Sequence, residues 1–241
     1  PNGTITIAGD RGEVNYSTNA GSTWNKTSFM TGSLLYTVKR FNEYLYVAGQ
    51  AGGYFISSDN GDTWSNHSIG TSTTRNYKIS FINETTGYMV TNQGNIFFTT
   101  NRGVNWNSQG AFSAILYDIK MVSPTKGFAT GSGDRIYETN DGVNWGAGTM
   151  ATPSQQITGV FPLSETVGFI CGQNGAVYKS TDGFNTLTLL TDTIALNGIL
   201  LHDIYAFDEH NVWAVGQNGV ILRSTSPTSM AVVDSALFGE N

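Results

Sequence analysis

Charge is what this chain has least of. Acidic and basic residues together make up 12% of its 241 residues, and 12 Lys and Arg against 18 Asp and Glu leave a net charge of −6. No run or cluster of Lys and Arg occurs, which excludes binding to a phosphate backbone, since that needs grouped cations. Cysteine is nearly absent: the single Cys171, inside "GFICG", cannot form an internal disulfide and reads as a small buried hydrophobe. No apolar stretch approaches the roughly 20 residues that cross a bilayer. The i, i+3, i+4 spacing of an amphipathic helix is missing throughout. A starting Met and a signal-peptide pattern are missing too, so the chain opening at Pro1 reads as a processed or excised piece.

What the chain does contain is glycine, 29 of them, with Ser, Thr and Asn making up most of the polar remainder. That composition suits short strands joined by tight turns. It is also organised. The stretch "SSDNGDTW" at 57 returns as "STNAGSTW" at 17, "TTNRGVNW" at 99, "ETNDGVNW" at 138 and "KSTDGFNT" at 179, with an eroded sixth copy, "RSTSPTSM", at 223. The glycines Gly21, Gly61, Gly103, Gly142 and Gly183 are spaced by 40, 42, 39 and 41 residues. Each unit of about 40 residues carries four strand-sized runs of β-branched and aromatic residues bounded by Gly or Asn, as in "LLYTVKRF", "YLYVAG", "GYFISS" and "WSNHSI". Self-similarity at this period, with four antiparallel strands per unit, is the signature of β-propeller blades. The expectation is therefore an all-β, six-bladed propeller of four-stranded blades, occupying residues 1–241 as a single domain.

Within the recurrent stretch, Asn19, Asp59, Asn101 and Asn140 are placed to accept backbone N–H groups, Gly21, Gly61, Gly103 and Gly142 to supply turn geometry, and Trp24, Trp64, Trp106 and Trp145 to cover the hairpin. The spacing resembles the Asp-box, or bacterial neuraminidase repeat, S-x-D-x-G-x-T-W. Units such as "VGQNGVILRST" and "CGQNGAVYKSTDG" are also similar to photosystem II stability and assembly factor-like propellers. The first resemblance implies the propeller fold, and the second implies a docking surface for protein rather than catalysis. The sialidases that share the Asp-box need an arginine triad, a Tyr nucleophile with its Glu, and an F/Y-R-I/L-P motif. Here only Arg75 of the six arginines falls near an inner strand start and the motif is missing, so a sialidase is disfavoured.

Six middle strands are readable but only five inner strands, starting near Tyr36, Tyr77, Tyr117, Thr158 and His202, so the chain enters its array partway through a blade. The segment 231–238, "AVVDSALF", is the only candidate donor for the missing strand and must also serve as the outer strand of the last blade.

In propellers ligands meet the face carrying inner strand starts and second-to-third-strand turns, whereas the Asp-box hairpins fall on the other. On the first face the sequence stacks one column of Tyr36, Tyr77, Tyr117, Thr158 and His202, flanked by Thr37, Lys78, Asp118, Gly159 and Asp203. A second column holds Asp10, Gln50, Gln93, Asp134, Gln173 and Gln217. The candidate ligand-binding set is Tyr36, Arg75, Tyr77, Lys78, Tyr117, Asp118, His202 and Asp203. Aromatic faces beside amides and carboxylates suit a glycan, and Asp118 with Asp203 forms the alternative catalytic pair of a glycoside hydrolase. No metal or cofactor is expected: His67, His202 and His210 lack H-E-x-x-H spacing, and there is neither a P-loop, a G-x-S-x-G elbow nor a calcium loop. The reading is a non-catalytic recognition or scaffold propeller, part of a larger exported protein, extracellular or periplasmic, that binds a protein or glycan. A carbohydrate-active propeller is the alternative.

Overall fold

The computed structural model describes residues 3–27, 32–150, 156–191 and 195–233. All regular structure there is β-strand, apart from four single 3-10 turns. Twenty-three strands fall into six antiparallel sheets taken in strict chain order. The chain divides into two compact units, Pro1–Ser113 and Ala114–Asn241, each holding three sheets. The fold is an all-β, six-bladed propeller.

In the first unit, sheet 1 contains β1 (Ile5–Ala8), β2 (Val14–Ser17) and β3 (Asn25–Lys26). Sheet 2 contains β4 (Leu35–Phe41), β5 (Tyr44–Gly49), β6 (Gly53–Ser57) and β7 (Ser65–Ser68). Sheet 3 contains β8 (Asn76–Phe81), β9 (Gly87–Thr91), β10 (Asn95–Thr99) and β11 (Asn107–Ala111). Sheet 1 lacks an inner strand among the described residues, as the strand count required, and the face of β1 that carries Ile5 and Ile7 is exposed.

In the second unit, sheet 4 contains β12 (Leu116–Met121), β13 (Gly127–Gly131), β14 (Arg135–Thr139) and β15 (Trp145–Met150). Sheet 5 contains β16 (Ile157–Pro162), β17 (Gly168–Gly172), β18 (Val177–Ser180) and β19 (Thr188–Leu189). Sheet 6 contains β20 (Leu201–Ala206), β21 (Val212–Gly216), β22 (Ile221–Ser226) and β23 (Ser229–Val232). The segment 231–238 thus begins within the outer strand of the last sheet. Its remainder from residue 234, and with it any inner strand given to sheet 1, lies outside the described residues.

The apolar core lies between successive sheets. Tyr46 and Ala48 of β5 pack on Ile79, Phe81 and Met89 of sheet 3, Phe128 of β13 packs on Ile157, Val160 and Ile170 of sheet 5, and Phe169 and Cys171 of β17 pack on Leu201, Ile204 and Ala214 of sheet 6. Removing such faces from water is the main stabilising term, about 25 cal/mol for each Å² of apolar surface. Cys171 is buried there, as its apolar setting indicated. Polar side chains also cross between sheets. The Asp118 carboxylate on β12 accepts the N–H of Val160 on β16 at 3.0 Å, and the buried Thr158 hydroxyl donates to the Leu201 carbonyl of β20.

The recurrent turn between third and fourth strands is organised by a hydroxyl. Ser57 Oγ donates to Asp59 Oδ1 at 2.7 Å and accepts the N–H of Gly61 at 2.8 Å, while Asp59 Oδ1 takes the N–H of Thr63 at 2.9 Å. Ser17 with Asn19 and Gly21, and Thr99 with Asn101 and Gly103, repeat the pattern. Two copies depart from the expected alignment. In the fourth, Thr139 bonds Asp141, and Asp141 Oδ1 receives the N–H of Val143 and Asn144, so Asp141 builds the turn. Asn140 instead accepts Lys126 Nζ at 2.7 Å, because this turn is one residue shorter between hydroxyl and glycine. In the fifth, the N–H that reaches Ser180 Oγ is that of Phe184, at φ 65°, and not that of Gly183. Phe184 tolerates this left-handed conformation because its ring is buried against Phe128 at 4.7 Å.

Candidate functional site

The inner strand starts are held against the turns leaving the middle strands by one repeated hydrogen bond. Gln50 N–H donates to Leu34 O, Asn92 to Arg75 O, Ser132 to Ile115 O, Gln173 to Gln156 O and Gln217 to Leu200 O, at 2.8 to 3.0 Å. Gly49, Gly131, Gly172 and Gly216 precede four of these turns, and a Cβ on any of them would overlap the inner strand's carbonyl. A side chain at these glycines would force the two segments apart and spread the face.

In the first unit this scaffold carries a cleft of about 560 Å³ lined by Ser33, Gln50 and Ala51 together with Ser72, Thr73, Thr74, Arg75 and Asn92. The loop on one wall is latched at several points. Asn92 Oδ1 accepts the Arg75 N–H at 2.7 Å and Asn92 Nδ2 donates to Thr73 O, while Gln93 Oε1 accepts the Thr74 hydroxyl. Arg75 projects from that loop into solvent, and its side chain is hydrogen-bonded to Tyr77, which together with the Tyr77 and Tyr36 phenols raises the guanidinium pKa. The Tyr36 and Tyr77 rings meet at 5.0 Å between centroids, tilted by 53°. Lys78 is half-buried beside Tyr77 on β8. The structure therefore brings Tyr36, Arg75 and Tyr77 of the predicted set together. The loop residues Ser72 to Thr74 and the latch Asn92 escaped the sequence reading, although the polar run "TSTTRN" is the signal that could have found them.

In the second unit the remaining predicted residues sit differently. Tyr117 is half-buried and His202 is exposed. Asp118 is 1% exposed, and its oxygens accept the N–H of Ile119 at 2.8 Å and of Val160 at 3.0 Å. It is a carboxylate closed off from solvent that ties β12 to β16. Asp203 accepts the N–H of Ile204 at 2.9 Å. Of the second column, the Gln50 and Gln217 amide oxygens accept the N–H of Leu34 and Leu200, and the Asp10 carboxylate accepts that of Arg11. No group of three or more His, Cys, Asp or Glu side chains suited to a metal occurs among the described residues.

No protein-family model matches the chain, and no curated protein sequence matches it. Its likeness is to solved propellers. YCF48 from Cyanidioschyzon merolae superposes with a TM-score of 0.75 at 17% identity, covering 100% of this chain and 83% of that one. A structure of YCF48 bound to D1 peptide gives 0.55 at 16% identity, covering 94% and 91%. The GH74 xyloglucanase from Xanthomonas campestris gives 0.65 at 12% identity, covering 94% of this chain and 44% of the enzyme. At these identities what is shared is the fold, which serves partner binding in one neighbour and hydrolysis in another.

Proposed function

We propose that this chain is a non-catalytic recognition module whose repeats are of the Asp-box type, and that it docks an extended segment of a partner protein across the cleft of its first unit. The carrying observation is the cleft itself. A latched loop presents one guanidinium, Arg75, oriented by Tyr77, next to the paired faces of Tyr36 and Tyr77 and a row of Ser and Thr hydroxyls. Such a set offers a fork for a carboxylate, apolar faces for side chains and hydroxyls for a peptide backbone, with the loop's ordering cost already met. The burial of Asp118 supports binding over catalysis. That a YCF48 structure carries a bound peptide supports a peptide as ligand class. The low-charge composition supports an exported setting, extracellular or periplasmic.

An array of peptides with and without acidic residues, titrated against the protein by fluorescence polarisation, tests this reading. Acidic peptides should bind, and Arg75→Ala should weaken them about tenfold, the order expected for a charge-assisted hydrogen bond. A glycan panel run in parallel covers the carbohydrate alternative. Binding of glycans alone, or peptide binding indifferent to both Arg75→Ala and Tyr77→Ala, would overturn the proposal.

A further inference from the structure

Sheet 6 differs from sheets 2, 4 and 5 on one face. On that face β21 carries Trp213 and Val215, β20 carries Asp203 and Tyr205 opposite them, and β22 adds Ile221 and Arg223. The matching positions on other middle strands are Tyr46 and Ala48 in sheet 2, Phe128 and Thr130 in sheet 4, and Phe169 and Cys171 in sheet 5. All six are no more than 1% exposed, and those of the apolar clusters named above are covered by the sheet that follows in the same unit. In sheet 6, Val215 is 43% and Tyr205 55% exposed, Trp213 is half-buried, and the Arg223 guanidinium lies over the Trp213 ring at 5.5 Å. The residue types are those of a buried inter-sheet face.

We infer that this face is a docking surface for one further four-stranded antiparallel sheet of the same repeat type. The occupant is specified by continuity with the interface already repeated along the chain. Between sheets 5 and 6, Phe169 and Cys171 are met by a branched aliphatic residue on the next inner strand, Ile204, and a small one on the next middle strand, Ala214. Trp213 and Val215 stand where Phe169 and Cys171 stand one sheet earlier, so the incoming sheet must offer the counterparts of Ile204 and Ala214. Arg223 must swing off the indole as that sheet seats. An exposed apolar sheet face is otherwise a liability for a soluble protein.

The test uses the full chain with Val215→Cys, Cys171 being buried and slow to react. Maleimide should label the introduced cysteine rapidly in the parent chain. The same chain extended at its end by a second copy of the fifth repeat, residues 156–199, should be labelled about tenfold more slowly or less, because reaction then requires local opening, and its Tm should rise by roughly 4 °C or more. An extension carrying Asp at the copied positions of Val160 and Ile170 should do neither, which separates seating of the sheet from the presence of a tether. A cysteine already unreactive in the parent, protection that accompanies self-association of the parent in sedimentation, or an extension that protects nothing would each overturn the inference.

Discussion

Asp59 spends both carboxylate oxygens inside its own turn, on the Ser57 hydroxyl and on the N–H and hydroxyl of Thr63. These bonds favour the charged form and pull its pKa down to about 2, the Thr63 hydroxyl contributing most. Because the folded value lies below the ordinary aspartate value near 3.9, the stabilisation is complete above about pH 4 and is lost as pH falls toward 2. Asn19 shows that charge is dispensable: its Oδ1 takes the same two donors, and its amide donates to Thr23 where Asp59 accepts from Thr63. Asp59→Asn is therefore expected to leave stability near pH 7 almost unchanged and to flatten its fall between pH 4 and 2, as measured by urea unfolding at several pH values. A large loss at pH 7 would mean that the carboxylate does more than build the turn.

Elements were legible in the sequence to the extent that local chemistry defines them. Alternating runs such as "YLYVAG" became β5, and the five inner strands begin where apolar and aromatic alternation placed them, because burial between sheets imposes a period of two. The recurrent turn was legible as a turn but not in detail. Its hub is the buried first hydroxyl of Ser17, Ser57, Thr99, Thr139 or Ser180, and counting from the glycine misassigned the fourth and fifth copies, where Asp141 and Phe184 take the working positions. The candidate site was half legible for a related reason. Tyr36, Arg75 and Tyr77 follow from strand alignment alone, whereas the fate of Asp118 depends on which backbone group the neighbouring sheet presents, and periodicity carries no such information. Asp118→Ala strands the buried N–H of Val160 and should cost about 1–3 kcal/mol, with little effect on peptide binding in the first unit. Chemical denaturation with parallel titrations checks this, and a selective loss of binding would return Asp118 to the functional set.

At the scale of the whole molecule, one strand position carries different energetic weight according to what lies beyond it. In repeat arrays stability is close to a sum of repeat terms and nearest-neighbour interfaces, so a core residue is only as important as the sheet that covers it. Phe169 and Trp213 occupy equivalent middle-strand positions, each paired across its strand with the inner-strand aromatic, Phe161 or Tyr205. Phe169 is fully buried against sheet 6, and its truncation to Ala should cost about 3–5 kcal/mol, the transfer term plus the cavity left between two rigid sheets. Trp213 is larger and by side-chain size alone should cost more. Half-buried, with the Arg223 guanidinium lying over its ring, it has less buried surface to lose, so Trp213→Ala should cost about 1–2 kcal/mol. Guanidinium unfolding of the two variants gives the comparison directly. Equal losses would show that sheet 6 is covered in solution as fully as sheet 5, and the ranking should invert, Trp213 becoming the costlier residue, once a further sheet is seated on that face.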